Sequence, residues 1–319
     1  MDIEYIKIQK LLQQRAEVSA KLNLIPYEGA IEIKERDGNR YIYLRKRVLG
    51  RNTSTYVGLY SDEFFASISK LLVDAKEYRK ELRKINKELA LLNYTDEELS
   101  AKVLLNIDFA RANMKLNIYD QAILEGIATT FPDTETILEN GKVYGMRASD
   151  VQKILNLKHA WEFILDKDVV ASNQSYSILC HIAGVVNEGF YTYGGRIRTV
   201  PVSIGGTTYI PPMPIEFVVK ETLAEIINRK EESIDVAIDI CLYCMKAQLF
   251  NDGNKRTAVI FANHFLISKG EGLLVIPEGK VKIFKKLLVS YYEGKDSGEI
   301  KEFMKRHCWR SLNAPKSRA

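Results

Sequence analysis

The sequence contains no run of eighteen apolar residues, which removes a transmembrane helix from consideration. Its opening, MDIEYIKIQK, is charged from the second residue and holds no secretion-signal core. Four cysteines in 319 residues build no disulfide framework and suit a reducing compartment. A cytoplasmic protein with no membrane partner is the expectation. Charge of one sign is also scarce: 46 basic against 41 acidic residues leave +5, too little to announce nucleic-acid binding by composition. Only a local cluster could do that. Internal repeats and low-complexity segments are missing as well. What remains, 46% hydrophobic and 27% charged residues, is the composition of a soluble globular chain long enough for two domains.

Apolar residues recur at helical spacing over 2–23, and Pro26 ends that pattern. The period then changes to two. GAIEIKERDGNRYIYLRKRV alternates apolar and polar around Asp37-Gly38-Asn39, a β-hairpin signal. A turn at Gly50-Arg51-Asn52 leads to a third short strand, Ser54 to Val57. Ser61 reads as an N-cap followed by Asp62 and Glu63, and a long amphipathic helix runs on to Leu92. Two antiparallel helices with a small sheet between them form an arm, residues 1–98. Its sheet carries Arg40, Arg45, Lys46, Arg47 and Arg51 with Tyr41, Tyr43 and Tyr56 interleaved. Such a stretch holds a nucleic-acid backbone and stacks bases, or contacts a protein. The alternative is a solvated strand face with the tyrosines on the packed side.

From about Leu99 the pattern is mainly α. Helices are expected near 107–127, 133–140, 148–166, 172–187, 214–228, 233–249, 255–269 and 280–292, then a C-terminal helix and frayed tail over 296–319. Gly194–Pro214 interrupts them as a β-hairpin turning at Gly205-Gly206. Cys241 and Cys244 form a CxxC in an apolar helical run without a second pair, so they read as core residues rather than a zinc or redox site.

KAQLFNDGNKRTAVIF, Lys246–Phe261, joins two apolar helices through a polar turn. The backbone N–H groups of such a turn lie at a helix N-terminus, a ready anion site. Gly253 lets a phosphate approach, Asp252 could hold Mg²⁺, Arg256 could neutralise a phosphoryl group, and Asn254 could donate hydrogen bonds or fix the turn. An ordinary interhelical turn uses the same residue types.

The stretch resembles the signature of the Fic/Doc family, His-x-Phe-x-Asp/Glu-Gly-Asn-Gly/Lys-Arg-x-x-Arg, here running from Gln248 to Val259. Gly194–Pro214 is similar to the family's flap, with Thr199, Val200, Pro201 and Val202 as the segment that aligns a target by β-augmentation. Ala122–Gly126, followed by Thr136–Asn140, resembles the inhibitory helix of members that carry one, about 115–127 here, with Glu125 and Gly126 as its marks. The resemblance covers roughly 115–292 and implies a Fic-type helical bundle with a β-hairpin flap over 99–295. It implies transfer of AMP or another phosphate-containing group from ATP or another nucleotide to a protein hydroxyl, with Mg²⁺. Phe250 would anchor the loop, Asp252 bind the metal, Gly253, Asn254 and Lys255 shape the phosphate nest, and Arg256 grip phosphate. A protein target would dock on the flap, and a homodimer is left open.

Both ends of the signature depart from this pattern. Gln248 stands where the family has its general-base His, and an amide takes no proton. Val259 stands where the closing Arg would hold the terminal phosphate, which leaves Glu125 without its family partner; position 121 is Gln where Ser or Thr is usual. His159, His181, His264 and His307 are the other histidines that could act as a base. The expectation is an enzyme of weak or altered activity; the alternative is a catalytically inactive pseudoenzyme that binds nucleotide or phosphate, or serves as an interaction module.

Overall fold

The computed structural model describes residues 3–48, 51–92, 94, 99–139, 141 and 143–312. Gly50 of the expected turn, Asn140, the tail from Asn313 and the Arg51 side chain lie outside the described residues. The chain divides into two compact units, 1–96 and 97–319.

In the first unit, α1 (Ile3–Asn23) is followed by an antiparallel sheet of β1 (Ala30–Arg36), β2 (Asn39–Val48) and β3 (Arg51–Leu59), then α2 (Asp62–Leu91). The β1–β2 turn is made by Asp37 and Gly38, both at positive φ (50° and 76°), which matches the twist of the strands it joins. The third strand is longer than its Ser54–Val57 centre suggested, because pairing with β2 extends to both sides. Ser61 caps α2, its hydroxyl accepting the Phe64 N–H at 3.1 Å. Ile42 and Leu44 of the sheet bury against Ile68, while Leu11, Leu12 and Val18 pack with Ile85 and Leu89.

The second unit is helical. It runs α3 (Ala101–Ala112), α4 (Met114–Leu124), α5 (Phe131–Leu138), α6 (Ala148–Ile164), α7 (Lys167–Ala171), α8 (Tyr176–Val186), α9 (Glu216–Ile227), α10 (Ser233–Ala247), α11 (Asn254–Lys269), β4 (Leu273–Leu274), α12 (Val281–Tyr292), α13 (Gly298–His307) and β5 (Trp309–Arg310). Helix α11 is buried almost all round, as its apolar sequence demands, and packs on α3, α6, α7, α8 and α10. Asn263 ties it to β4, donating to the Leu274 carbonyl (2.7 Å) and accepting the Leu274 N–H (2.9 Å).

Three expectations are corrected. The helix read over 107–127 is two helices, divided at Asn113, whose side chain donates to the Phe109 carbonyl and closes the first of them (2.8 Å). The segment 172–187 starts its helix only at Tyr176, because Ser175 supplies the cap; the short α7, capped by Asp166, precedes it. The segment 194–214 turns at Gly205-Gly206 but carries no strand among the described residues. Pro201, Pro211 and Pro212 have no N–H to give to a ladder. Cys241 and Cys244 are buried in α10; burial pushes the Cys241 thiol well above its ordinary value and Cys244 up to about 12, so both are protonated core residues.

Candidate active site at the α10–α11 loop

Helix α10 stops at Gln248, which adopts the left-handed conformation (φ 44°, ψ 61°). The chain then buries Leu249 and Phe250 and re-enters a helix through Gly253 (φ 73°). Asn254 staples this loop: its side chain accepts the Phe250 N–H (2.9 Å) and donates to the Phe250 carbonyl (2.7 Å) and to Gln248 Oε1 (3.1 Å). Gln248 Nε2 donates back to the Met245 carbonyl at 2.7 Å. The amide at the family's His position therefore closes the end of α10. Asn254 thus fixes the turn, whereas the tie of Gln248 to Met245 has no signal in the sequence.

The Thr257 N–H closes the first turn of α11 on the Gly253 carbonyl (2.9 Å). The earlier N–H groups of a helix have no partner within it, which leaves a cradle for an anion. Gly253 lies tight against α8. A Cβ there would meet Asn187 Oδ1 at 2.8 Å and Val186 Cγ1 at 2.9 Å, in a backbone conformation that side chains rarely adopt. Gly253→Ala is expected to cost about 1–3 kcal/mol in urea unfolding and to weaken anion binding at the loop.

Arg256 is buried, 1% exposed. Its guanidinium donates to the Val186 carbonyl (3.2 Å) and to Asp252 Oδ2 (3.1 Å). Glu125, at the end of α4, lies against the same group: its Oε2 is 3.4 Å from Arg256 Nε, and its Oε1 3.8 Å from Lys255 Nζ. Glu125 lacks its family partner at Val259, as expected, but it is not without a cation. It has two, on the turn of α11 before Val259. The charges match but the hydrogen bonds do not, since Arg256 Nε and Glu125 Oε1 are buried without a hydrogen-bond partner. Gln121 donates to the Arg256 carbonyl (2.8 Å) and accepts from the Trp161 indole (3.2 Å), fixing α4 to the loop. Val259 is packed in the core of the unit.

The flap is held by Arg198, a side chain at its first arm. Arg198 is 2% exposed and donates to the Gln248 carbonyl (2.6 Å), the Val200 carbonyl (3.0 Å) and the carbonyls of Pro211 (3.2 Å) and Pro212. One guanidinium thus joins both arms of the flap to the loop. Its signal was available: carbonyls of prolines in a segment short of N–H donors need a donor from elsewhere. Asn187 adds a second link, donating to the carbonyls of Asp252 (3.0 Å) and Gly194 (3.3 Å). Thr199, Val200 and Pro201 are exposed and Val202 half-buried. Under the return arm a cavity of about 340 Å³ is lined by Tyr209, Met213, Val218, Tyr243, Lys246 and Leu249, among others.

The histidines have partners of their own. His264 faces Gln174 and the Val169 carbonyl, and burial pushes its pKa down to about 4. His159 lies 3.4 Å from Glu188, His181 packs on the Phe163 ring, and His307 on that of Phe303. Among the described residues, no group of three or more His, Cys, Asp or Glu could hold a metal.

Comparison with known proteins agrees with this geometry. Residues 174–266 match the Fic/DOC family model, and residues 3–66 match a domain of unknown function, DUF6788. No curated protein matches the chain. Among solved structures, Fic-1 (residues 134–508) from C. elegans aligns at 18% identity over 74% of this chain and 72% of its own, with a TM-score of 0.51. A Fic-domain-containing signalling protein from Bacteroides thetaiotaomicron aligns at 16% identity over 66% and 86%, with a TM-score of 0.53. Residues 174–266 of this chain thus match the Fic/DOC family, and the helical unit that contains them has the fold of solved Fic-domain proteins.

Proposed function

We propose that the protein binds the phosphates of a nucleotide at the α10–α11 loop and transfers them slowly or not at all. The observation that carries this reading is the Gln248 amide, which is tied to Met245 and Asn254. An amide takes no proton, and a missing general base removes about 10²–10⁴ in rate. Retained phosphate binding is supported by the helix start at Gly253–Arg256 and by the guanidinium of Arg256 behind it. Asp252 is part-exposed, with one oxygen on Arg256. A single carboxylate together with substrate phosphates is an ordinary Mg²⁺ ligand set, so the residues fit that ion. When bound, it would neutralise phosphate charge beside Asp252.

Glu125 occupies Arg256 and Lys255 without aligned hydrogen bonds, and this supports its exchange for an incoming phosphate. The exposed Thr199–Pro201 edge and the cavity beneath the return arm support docking of an extended protein segment, the partner that a transferase of this family modifies. An active transferase of AMP or another phosphate-containing group is the second reading. It draws on the intact middle of the signature, Phe250 to Arg256.

Titration calorimetry with ATP, ADP and inorganic phosphate, with and without Mg²⁺, tests the proposal. Binding is expected, weakened about tenfold by Asp252→Ala and strengthened by Glu125→Gln. ATP labelled on its α-phosphate, incubated with the protein and a lysate, is expected to leave little label on protein. Strong labelling by the parent protein would favour the second reading. Absence of binding in both the parent and Glu125→Gln would overturn the phosphate site itself.

A further inference from the structure

The sheet of the first unit has one covered and one open face. Strand alternation sends Ile42 and Leu44 into the apolar cluster with Ile68, so Tyr41, Tyr43, Arg45 and Arg47 share the opposite face. The register sets Tyr56 of β3 beside Tyr43, and Glu32 and Lys34 of β1 beside Tyr43 and Tyr41. The tyrosines are therefore not on the packed side. They form a surface cluster: the Tyr43 and Tyr56 ring centroids are 5.5 Å apart, edge to face, and those of Tyr41 and Tyr56 6.1 Å. Lys34 Nζ sits 4.5 Å above the Tyr43 ring, and Tyr56 is 55% exposed.

The charge on this face is one-sided. Lys34, Arg36, Arg45 and Arg47 stand against Glu32, the one carboxylate that the strands place here among the described residues. Glu32 is already engaged, accepting from the Ser54 hydroxyl at 2.9 Å and pairing with Lys34 at 3.4 Å. The other basic residues of this hairpin belong to the covered side: Arg40 lies 3.8 Å from the centre of the Tyr60 ring, and Lys46 is 3.6 Å from Glu28, while on the open face Arg36 is 3.6 Å from Asp37 of the turn. The basic run thus sorts by strand parity into two groups, and only one of them surrounds the aromatic cluster.

We propose that this open face binds single-stranded nucleic acid, with phosphates on Lys34, Arg45 and Arg47 and an unpaired base against Tyr56. Cations flanking ring faces match a chain that alternates phosphate and π-surface, whereas a duplex keeps its bases stacked on each other. The proposal stands independently of the α10–α11 loop, because every residue it uses lies in the first unit.

Fluorescence anisotropy of the full-length protein with labelled oligo-dT, oligo-U and a duplex of equal length, over a salt series, tests it. Single strands are expected to bind more tightly than the duplex, and more weakly as salt rises. Arg45→Gln with Arg47→Gln is expected to lower the salt slope by about 1.4, from two phosphate contacts on a single strand. Tyr56→Ala is expected to weaken binding about tenfold while lowering the thermal midpoint only slightly, since Tyr56 is 55% exposed and loses only its edge contacts with Tyr43 and Tyr41. Arg40→Gln with Lys46→Gln, on the covered side, is expected to leave affinity unchanged. No single-strand binding at low salt overturns the proposal. So does an equal loss from the covered-side pair, or a duplex preference indifferent to Tyr56→Ala.

Discussion

Arg198→Ala is expected to free the flap. The guanidinium is the donor for four carbonyls, those of Gln248, Val200, Pro211 and Pro212, and it spans both arms of the segment. Each carbonyl left without a donor in a buried setting costs about 1–3 kcal/mol. The flap lies at the surface, so water replaces part of this once it lifts away. A net loss of about 3 kcal/mol in urea unfolding is the expected outcome. The larger effect is local: chymotrypsin, cutting after Tyr209, is expected to cleave the variant at least about tenfold faster than the parent. Arg198→Lys is expected to resemble alanine more than arginine, because an ammonium offers no planar fork to reach several carbonyls at once. Parent-like cleavage in both variants would mean that the flap is held by its other contacts, such as the Thr207 hydroxyl on Glu293 (2.9 Å) and the Tyr209 ring on Tyr292 (6.0 Å). Loss of the flap also carries a functional consequence. Under the proposed function, a target segment pairing along Thr199–Val202 needs that edge fixed relative to the loop, and Arg198 is a group that touches both.

The start of α2 was legible because a cap is a local device: Ser61, Asp62 and Glu63 announce it, and the hydroxyl accepts the Phe64 N–H. The Asp37-Gly38 turn was legible for the same reason, since its positive φ angles restrict the residues that can occupy it. The α10–α11 loop was legible through a spaced signature, and hydrogen bonding by Asn254 within the turn was among its readings, but the work of Gln248 was not. Asn254 donates to its neighbours in the loop, and Gln248 spends its amide on the helix it terminates. The flap misled in the opposite direction. Val200, Val202 and Ile204 alternate like a strand, but alternation does not count donors, and the prolines opposite have none. The β4–β5 pair gave no signal, because two-residue strands brought together by α12 and α13 have no periodicity of their own. The partner of Glu125 was missed because the signature was read by position. Val259 removed the usual cation, and only the packing of α4 against the loop reveals that Arg256 and Lys255 take its place.

That substitution of partners yields the other large effect. Arg256→Met is expected to cost about 3–5 kcal/mol, because it leaves the Glu125 carboxylate, 13% exposed, without its nearest cation. The loss should show as a lower urea midpoint and as disappearance of phosphate binding. Glu125→Met alone is expected to be milder, since Arg256 keeps Asp252 and the Val186 carbonyl. The double variant decides whether the two groups act as a pair. Replacing both members of a buried ion pair by apolar side chains is often nearly neutral, so the double variant is expected to recover at least about half of what Arg256→Met loses. Strict additivity would overturn the pairing and assign the whole Arg256 effect to Asp252 and Val186. Binding separates stability from function in the same set. The double variant should remain unable to hold phosphate although it regains its fold, whereas Glu125→Gln, which keeps Arg256 and removes the competing charge, should bind more tightly than the parent. Under the proposed function, the Glu125 carboxylate stands where the ligand's charge would go, and the affinity difference between Glu125→Gln and the parent measures how strongly it competes.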